Sequence, residues 1–285
     1  MTAPDPHRHL PLESGSLRAF GLHQESEHAT GLRLWVRDGS GSQAVVLVHG
    51  IGLASETWLP LLSSLRADLP VLAVDLPGHG GSLPAPATWG LADTADAIAT
   101  AVARRQSGVL LAGISMGAMV SQHLAVRHPG LVNGLVLGDC LVEQGPERRE
   151  GLLARARQAR EQGMEELVEP AIERWFSPEF RQSDPELVDR VRDVMRSADP
   201  DVHAWASWAL SAHGLPRELA RLTVPTFVLC GELDVSTPPE LTRQVATAIP
   251  KSRYESIPGV GHLSAVEAPQ RWARAITSVL RHIET

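Results

Sequence analysis

The sequence predicts an α/β fold: a mostly parallel sheet of eight strands, flanked by helices on both faces, with a helical lid inserted after the sixth strand. Three observations predict it. Short unbroken apolar runs, such as AVVLV at 44–48, have the composition of strands buried on both faces. Such runs alternate with segments of helical periodicity from residue 44 to 137 and again from 224 onward. Between them, about 75 residues carry high charge and strong helix formers but no convincing strand. The expected organisation is therefore a flexible N-terminal tail over 1–16, a core over 17–142 and 220–285, and a helical cap over 143–219.

The elements follow in order. Residues 17–20 and Leu32–Arg37 are the expected leading strands, joined by a polar stretch that lacks a tight two-residue turn. AVVLVH at 44–49 leads into a glycine-bearing loop and a helix over 57–65. Next come a strand over 70–74, a helix over 91–104 with an alanine-rich face, a strand at Val109–Ile114, a helix at Met116–Arg127 and a strand over 131–137. After the insertion the rhythm resumes with a strand over 224–229, a helix over 238–248, a strand over 253–257 and a terminal helix over 268–283.

Composition excludes several function classes. A formal net charge of −7 offers no electrostatic footprint for nucleic acid. There is no apolar stretch of 18 residues, and the opening MTAPDPHRHLPLESGS lacks the apolar centre of a signal peptide, so no membrane partner is expected. Cys140 and Cys230 each end a short apolar run, as buried free thiols do, which suits a reducing, cytoplasmic setting. A monomer or small homo-oligomer is the expected state.

Chemistry enters at Gly113-Ile114-Ser115-Met116-Gly117, a G-x-S-x-G string between an expected strand and an expected helix. A turn this tight forces its central residue into strained φ/ψ and leaves no room beside it for more than glycine. Ser115 is thus the candidate nucleophile. A serine hydroxyl needs a base within hydrogen-bond reach and a third group to orient that base. Asp234, in Gly231-Glu232-Leu233-Asp234, and His262, in Gly259-Val260-Gly261-His262, each follow a late strand, where open α/β sheets build their sites. Glu232 and Asp139 compete with Asp234 for the acid, whereas His7, His9, His23, His28, His128, His203 and His282 read as surface residues.

Acyl transfer also needs donors for an oxyanion, commonly one N–H after the nucleophile and one from the loop after an early strand. Met116 and Ile51 occupy those places, with Gly52 as the alternative donor, and Gly50 and Gly52 permit close approach of a ligand to the backbone. Asp75-Leu76-Pro77-Gly78-His79-Gly80-Gly81-Ser82 lacks the lysine of a phosphate-binding loop and reads as a structural turn. No HExxH or paired-cysteine spacing is present, so neither a metal nor a cofactor is expected. In the insertion, Trp175, Phe176, Trp205 and Trp208 are candidates to line a substrate pocket, Trp205 and Trp208 standing three apart and hence on one helix face. Arg174, with Arg148 and Arg149 behind it, could pair with a substrate carboxylate, a solvated lid charge being the alternative for each.

Taken together, HGIG, DLPGHGGS, GISMG, GELDVSTPP and GVGHLSAVEAP resemble the α/β-hydrolase superfamily across roughly residues 30–283. Within it, GMEELVEPAIERWFSPEF and AIPKSRYESIPGVGHLSAVEAP are similar to 3-oxoadipate enol-lactonases. The resemblance implies Ser115, Asp234 and His262 as a triad acting on a small, anionic ester or lactone substrate in aromatic catabolism. The chain departs from the enol-lactonase pattern in its GIGL loop and in DLPGHGGS, a turn similar to that of SHCHC synthases and carbon–carbon bond hydrolases. Those two activities are the alternatives to an acyl-enzyme hydrolase. A non-catalytic small-ligand receptor is the alternative from another class.

Overall fold

The computed structural model describes residues 14–284. Residues 1–13, most of the expected tail, lie outside it. The first element is a helix rather than a strand: α1 (Ser14–Ala19) takes in residues 17–19 of the expected leading strand and the end of the expected tail. Leu17 turns inward and is fully buried with Trp35 and Trp58. Strand β1 is instead His23–Glu27, an edge strand whose sequence HQESE is mostly exposed on both faces and so carries no apolar alternation.

The remaining strands are β2 (Leu32–Arg37), β3 (Ala44–Val48), β4 (Val71–Val74), β5 (Val109–Ile114), β6 (Val132–Gly138), β7 (Thr226–Gly231) and β8 (Ser252–Ile257). They form one sheet of eight strands in the order β1-β2-β4-β3-β5-β6-β7-β8. The pairs β1–β2 and β2–β4 are antiparallel, and all others are parallel. Successive side chains of β3 point to opposite faces, so Val46 and Val48 enter one apolar cluster while Val45 and Leu47 enter the other.

Helices cover both clusters. On one face lie α3 (Leu91–Ala103), α4 (Met116–Arg127) and α10 (Pro239–Ala248). The other carries α2 (Leu59–Leu62), α11 (Ser264–Glu267) and α12 (Pro269–Ile283), where Trp58 meets Trp272 edge to face with centroids 5.6 Å apart. Between β6 and β7 the chain forms α5 (Pro146–Gln162), α6 (Glu165–Trp175), α7 (Pro178–Ser183), α8 (Pro185–Arg196) and α9 (Pro200–Ser211). Proline stands at the first turn of four of these, α5, α7, α8 and α9, where a missing N–H costs nothing. Because the core strands run parallel, the loops after β3, β5, β7 and β8 all emerge along one edge of the sheet, beneath these helices.

Candidate active site

Ser115 sits between β5 and α4 with φ 52° and ψ −120°, one of two non-glycine residues with positive φ among the described residues. Its flanking glycines are required by distance. A Cβ on Gly117 would lie 2.0 Å from the Val48 carbonyl oxygen, and one on Gly113 would lie 2.5 Å from that of Gly117. The strained turn is held by its surroundings, with the Ser115 N–H donating to the Gly138 carbonyl at 2.9 Å.

The three residues singled out for the chemistry meet. His262 Nε2 lies 2.9 Å from Ser115 Oγ, and His262 Nδ1 lies 2.8 Å from Asp234 Oδ2. With the proton on Nδ1, the ring donates to Asp234 and accepts from the Ser115 hydroxyl, which is the arrangement a general base needs. The loop after β7 fixes the carboxylate: Ser236 N–H and Thr237 N–H donate to Oδ1 at 2.7 and 2.9 Å, and the Thr237 hydroxyl donates to Oδ2 at 2.7 Å. Burial disfavours charge on Asp234, but His262 and the Thr237 donors outweigh it and hold its pKa below the ordinary value. Burial likewise opposes a cationic His262, and the Asp234 carboxylate reverses that, so the histidine pKa is raised.

The two rival acids stand elsewhere. Glu232 accepts from the Gly259 N–H at 3.0 Å on an exposed turn. Asp139, the other positive-φ residue, is fully buried and accepts from the Gly231 N–H at 3.0 Å and from the Ser264 hydroxyl, tying the end of β6 to the loops that carry Asp234 and His262. Burial, with the charge of Asp234 nearby, pushes its pKa up to about 8. Asp139, Cys230 and Asp234 cluster closely enough to suggest a metal, but both carboxylates are occupied by protein donors and the Cys230 thiol is buried.

Gly52 has φ 70° and its N–H donates to His79 Nε2 at 3.1 Å, while Gly50 approaches Ser115 so closely that a Cβ there would touch the serine Cβ at 3.4 Å. The DLPGHGGS turn is structural: Asp75 accepts from Ser55 N–H and Oγ–H at 2.9 and 2.6 Å and pairs with Arg33, and His49 accepts from the Leu76 N–H at 2.9 Å. Met116 opens α4, so its N–H has no intrahelical acceptor.

A cavity of about 190 Å³ opens on Ser115 and His262, walled by Ile51, Met119, Leu167, Trp175, Met195 and Thr237 among others. Arg174 and Trp175 line it as the sequence suggested, and Arg148 does too. Other expectations need correction. Phe176 is buried and stacks on Phe180 at 5.4 Å, away from the cavity. Trp205 is buried and donates its indole N–H to the Trp89 carbonyl at 2.9 Å, whereas Trp208, 46% exposed, shares the solvent strip of α9 with Asp201 seven residues earlier, so neither lines the cavity. Arg149 faces solvent. His203 is not a surface residue but is buried against the Gly52 turn and lines the cavity, its pKa lowered by burial to about 4. Arg155, also in the wall, belongs to no sequence motif, although its seven-residue separation from Arg148 puts both on one face of α5.

A serine–histidine–aspartate series on the loop edge of a mostly parallel sheet defines a hydrolase-type α/β architecture. The model of the alpha/beta hydrolase family matches residues 45–275, and the chain belongs to that family of hydrolases. The 3-oxoadipate enol-lactonase 2 of Acinetobacter baylyi is 25% identical over 239 residues, which are 84% of this chain and 88% of that one. Among solved structures, a thermophilic esterase from Thermogutta terrifontis with malate bound superposes with a TM-score of 0.83 at 29% identity, covering 93% of this chain and 99% of its own. The enol-lactonase from Burkholderia xenovorans LB400 gives 0.81 at 26% identity, covering 88% and 97%. Among the described residues no helix is long and apolar enough to cross a membrane.

Proposed function

We propose that the protein is a serine hydrolase of small carboxylic esters or lactones, of the enol-lactone type, acting through an acyl-enzyme. The observation that carries this reading is the hydrogen-bonded series from Ser115 through His262 to Asp234 at 2.9 and 2.8 Å, opening on a small cavity. His262 takes the proton of Ser115 Oγ as the oxygen attacks the acyl carbonyl, and Asp234 stabilises the imidazolium that forms. The Ile51 and Met116 N–H groups hold the oxyanion, Gly52 being already committed to His79. His262 then returns the proton to the leaving oxygen, and in the second half it activates the water that releases the acid. The helices between β6 and β7 serve as a cap that excludes bulk water from these steps.

The substrate is small and anionic. The cavity is small, about 190 Å³, and three arginines line it. Kinship with an enol-lactonase and with an esterase solved with malate, a dicarboxylate, supports the same class. The test is turnover of p-nitrophenyl esters, enol-lactones derived from muconolactone and a meta-cleavage dienoate, comparing wild type with Ser115→Ala. A single ring-opened acid from the enol-lactone, absent with the variant, is the expected product; two carbon fragments from the dienoate as the preferred reaction would overturn it.

A further inference from the structure

Three guanidinium groups, Arg148, Arg155 and Arg174, line the same small cavity, and no aspartate or glutamate lines it with them. This is unusual for a chain of net charge −7. Several other arginines of the helices between β6 and β7 are paired, Arg160 with Asp201, Arg190 with Glu186, Arg192 with Glu169 and Asp189, Arg196 with Glu165 and Asp193, while others there without an ion pair among the described residues, such as Arg149 and Arg157, lie outside the cavity. None of the three cavity arginines has an ion pair among the described residues. Burial lowers the pKa of each, and Arg155, standing near both others, is held down to about 10. Three uncompensated cations in one half-buried wall repel one another, and a bound anion relieves that repulsion.

The cations have two poles. Arg148 belongs to the acid–base side: it donates to the Ser236 carbonyl, feels the charge of Asp234, and lowers the proton affinity of His262. Arg155 and Arg174 belong to the oxyanion-loop side, where both bear on His203, whose Nδ1 lies 3.6 Å from where a Cβ on Gly52 would be. Unanswered polar atoms mark both poles. Arg148 Nε and Gln144 Oε1 on one side and His203 Nδ1 on the other are buried with no hydrogen-bond partner, though Gln144 and His203 both face the cavity. One carboxylate, held bidentately by one guanidinium, would leave the far pole unanswered.

We propose that the cavity selects small substrates bearing two carboxylates, one held by Arg155 and Arg174 with the His203 Nδ1–H, the other by Arg148. This rests on the ester or lactone hydrolase reading of the site, yet it concerns binding and is testable apart from turnover. The experiment is calorimetric binding of glutarate and succinate, of pentanoate and butyrate as matched monoacids, and of sulfate as a compact dianion, to Ser115→Ala. The diacids are expected to bind about tenfold or more tighter than the monoacids, the range of an added charge-assisted pair. Arg155→Ala in the same background abolishes that preference, Arg155→Lys keeps part of it, and Arg160→Ala, on the solvent side of α5, leaves it intact. Equal binding of diacids and monoacids, sulfate binding as tightly as glutarate, or a preference that survives Arg148→Ala, Arg155→Ala and Arg174→Ala alike would each overturn the proposal. A failed substrate panel together with diacid preference would instead count against the hydrolase reading alone.

Discussion

His79 Nε2 accepts a hydrogen bond from the Gly52 N–H at 3.1 Å, so the turn after β4 holds the loop after β3 in place. His79 Nδ1–H donates to the Pro77 carbonyl at 3.0 Å, and His49 links the two loops in the opposite sense through the Leu76 N–H. Both rings must be neutral to play these parts, and burial lowers the pKa of each. The consequence is a rigid backbone at Gly50, Ile51 and Gly52 before any substrate arrives, which is what preorganised oxyanion stabilisation requires.

From this contact follows a kinetic expectation. His79→Ala loosens the loop that carries Ile51 without touching Ser115, and kcat should fall by about tenfold to a hundredfold, less than the loss of an oxyanion donor itself, with little change in KM. Steady-state kinetics on a p-nitrophenyl ester measure it. A large rise in KM at constant kcat would mean the loop binds substrate and does not stabilise the transition state.

A second expectation concerns pH. As the proposed base, His262 is competent only when neutral, and Asp234 raises its pKa above the ordinary 6.5 against the effect of burial. Activity of the wild type should therefore fall as pH drops through a value above 6.5. In Asp234→Asn the main opposition to burial is gone: the acid limb of kcat/KM moves to lower pH, and the plateau falls by about 10⁴-fold because the ring loses its tautomer partner. A limb that stays in place would show that another group titrates.

The elbow sets an expectation for stability. A methyl on Gly117 would meet the Val48 carbonyl oxygen at 2.0 Å, backbone against backbone, and the collision cannot be relieved by a rotamer change. Gly117→Ala should lose about 3 kcal/mol or more, read as a fall in the urea midpoint. Gly130→Ala, where nothing lies within 4 Å, is the control.

Acid stability has a definite sign. Burial holds His123 and His203 at about 4 and His49 and His213 at about 3, against 6.5 when exposed. Between those values the unfolded chain binds protons that the native state refuses, so their contribution is present above 6.5 and is lost as pH falls toward the folded values. Asp139, raised to about 8, acts with the opposite sign. His79 acts with the four histidines, and Glu56 and Glu267, raised by burial, act with Asp139; the histidines span the wider window, so Tm should drop between pH 6.5 and 4.5 and His203→Asn should reduce the slope, and a flat profile would contradict it.

Much of this was legible in the residues. AVVLV, VLLAGI and TFVLCG read as buried strands because both faces are apolar, and the loops after them could be placed without coordinates. Ser115 and Asp234 follow such strands and His262 follows the glycine-bearing turn after the last strand, and these are the side chains the fold brings within hydrogen-bond reach. The edge strand HQESE was illegible because an exposed edge needs no apolar face, and α1 because its six residues are too short to display a helical period. Pocket walls were the least legible. Which face of α9 turns inward depends on how it packs on α5, so His203 was read as exposed and Trp208 as lining.

The central claim is that His262 activates Ser115 for covalent attack. The most direct measurement is labelling with a fluorophosphonate, followed by mass spectrometry of the modified peptide, for wild type, Ser115→Ala and His262→Ala. One adduct on Ser115 is expected, with none in Ser115→Ala and slow labelling in His262→Ala. Failure of the wild type to label, or labelling that persists in Ser115→Ala, would contradict it.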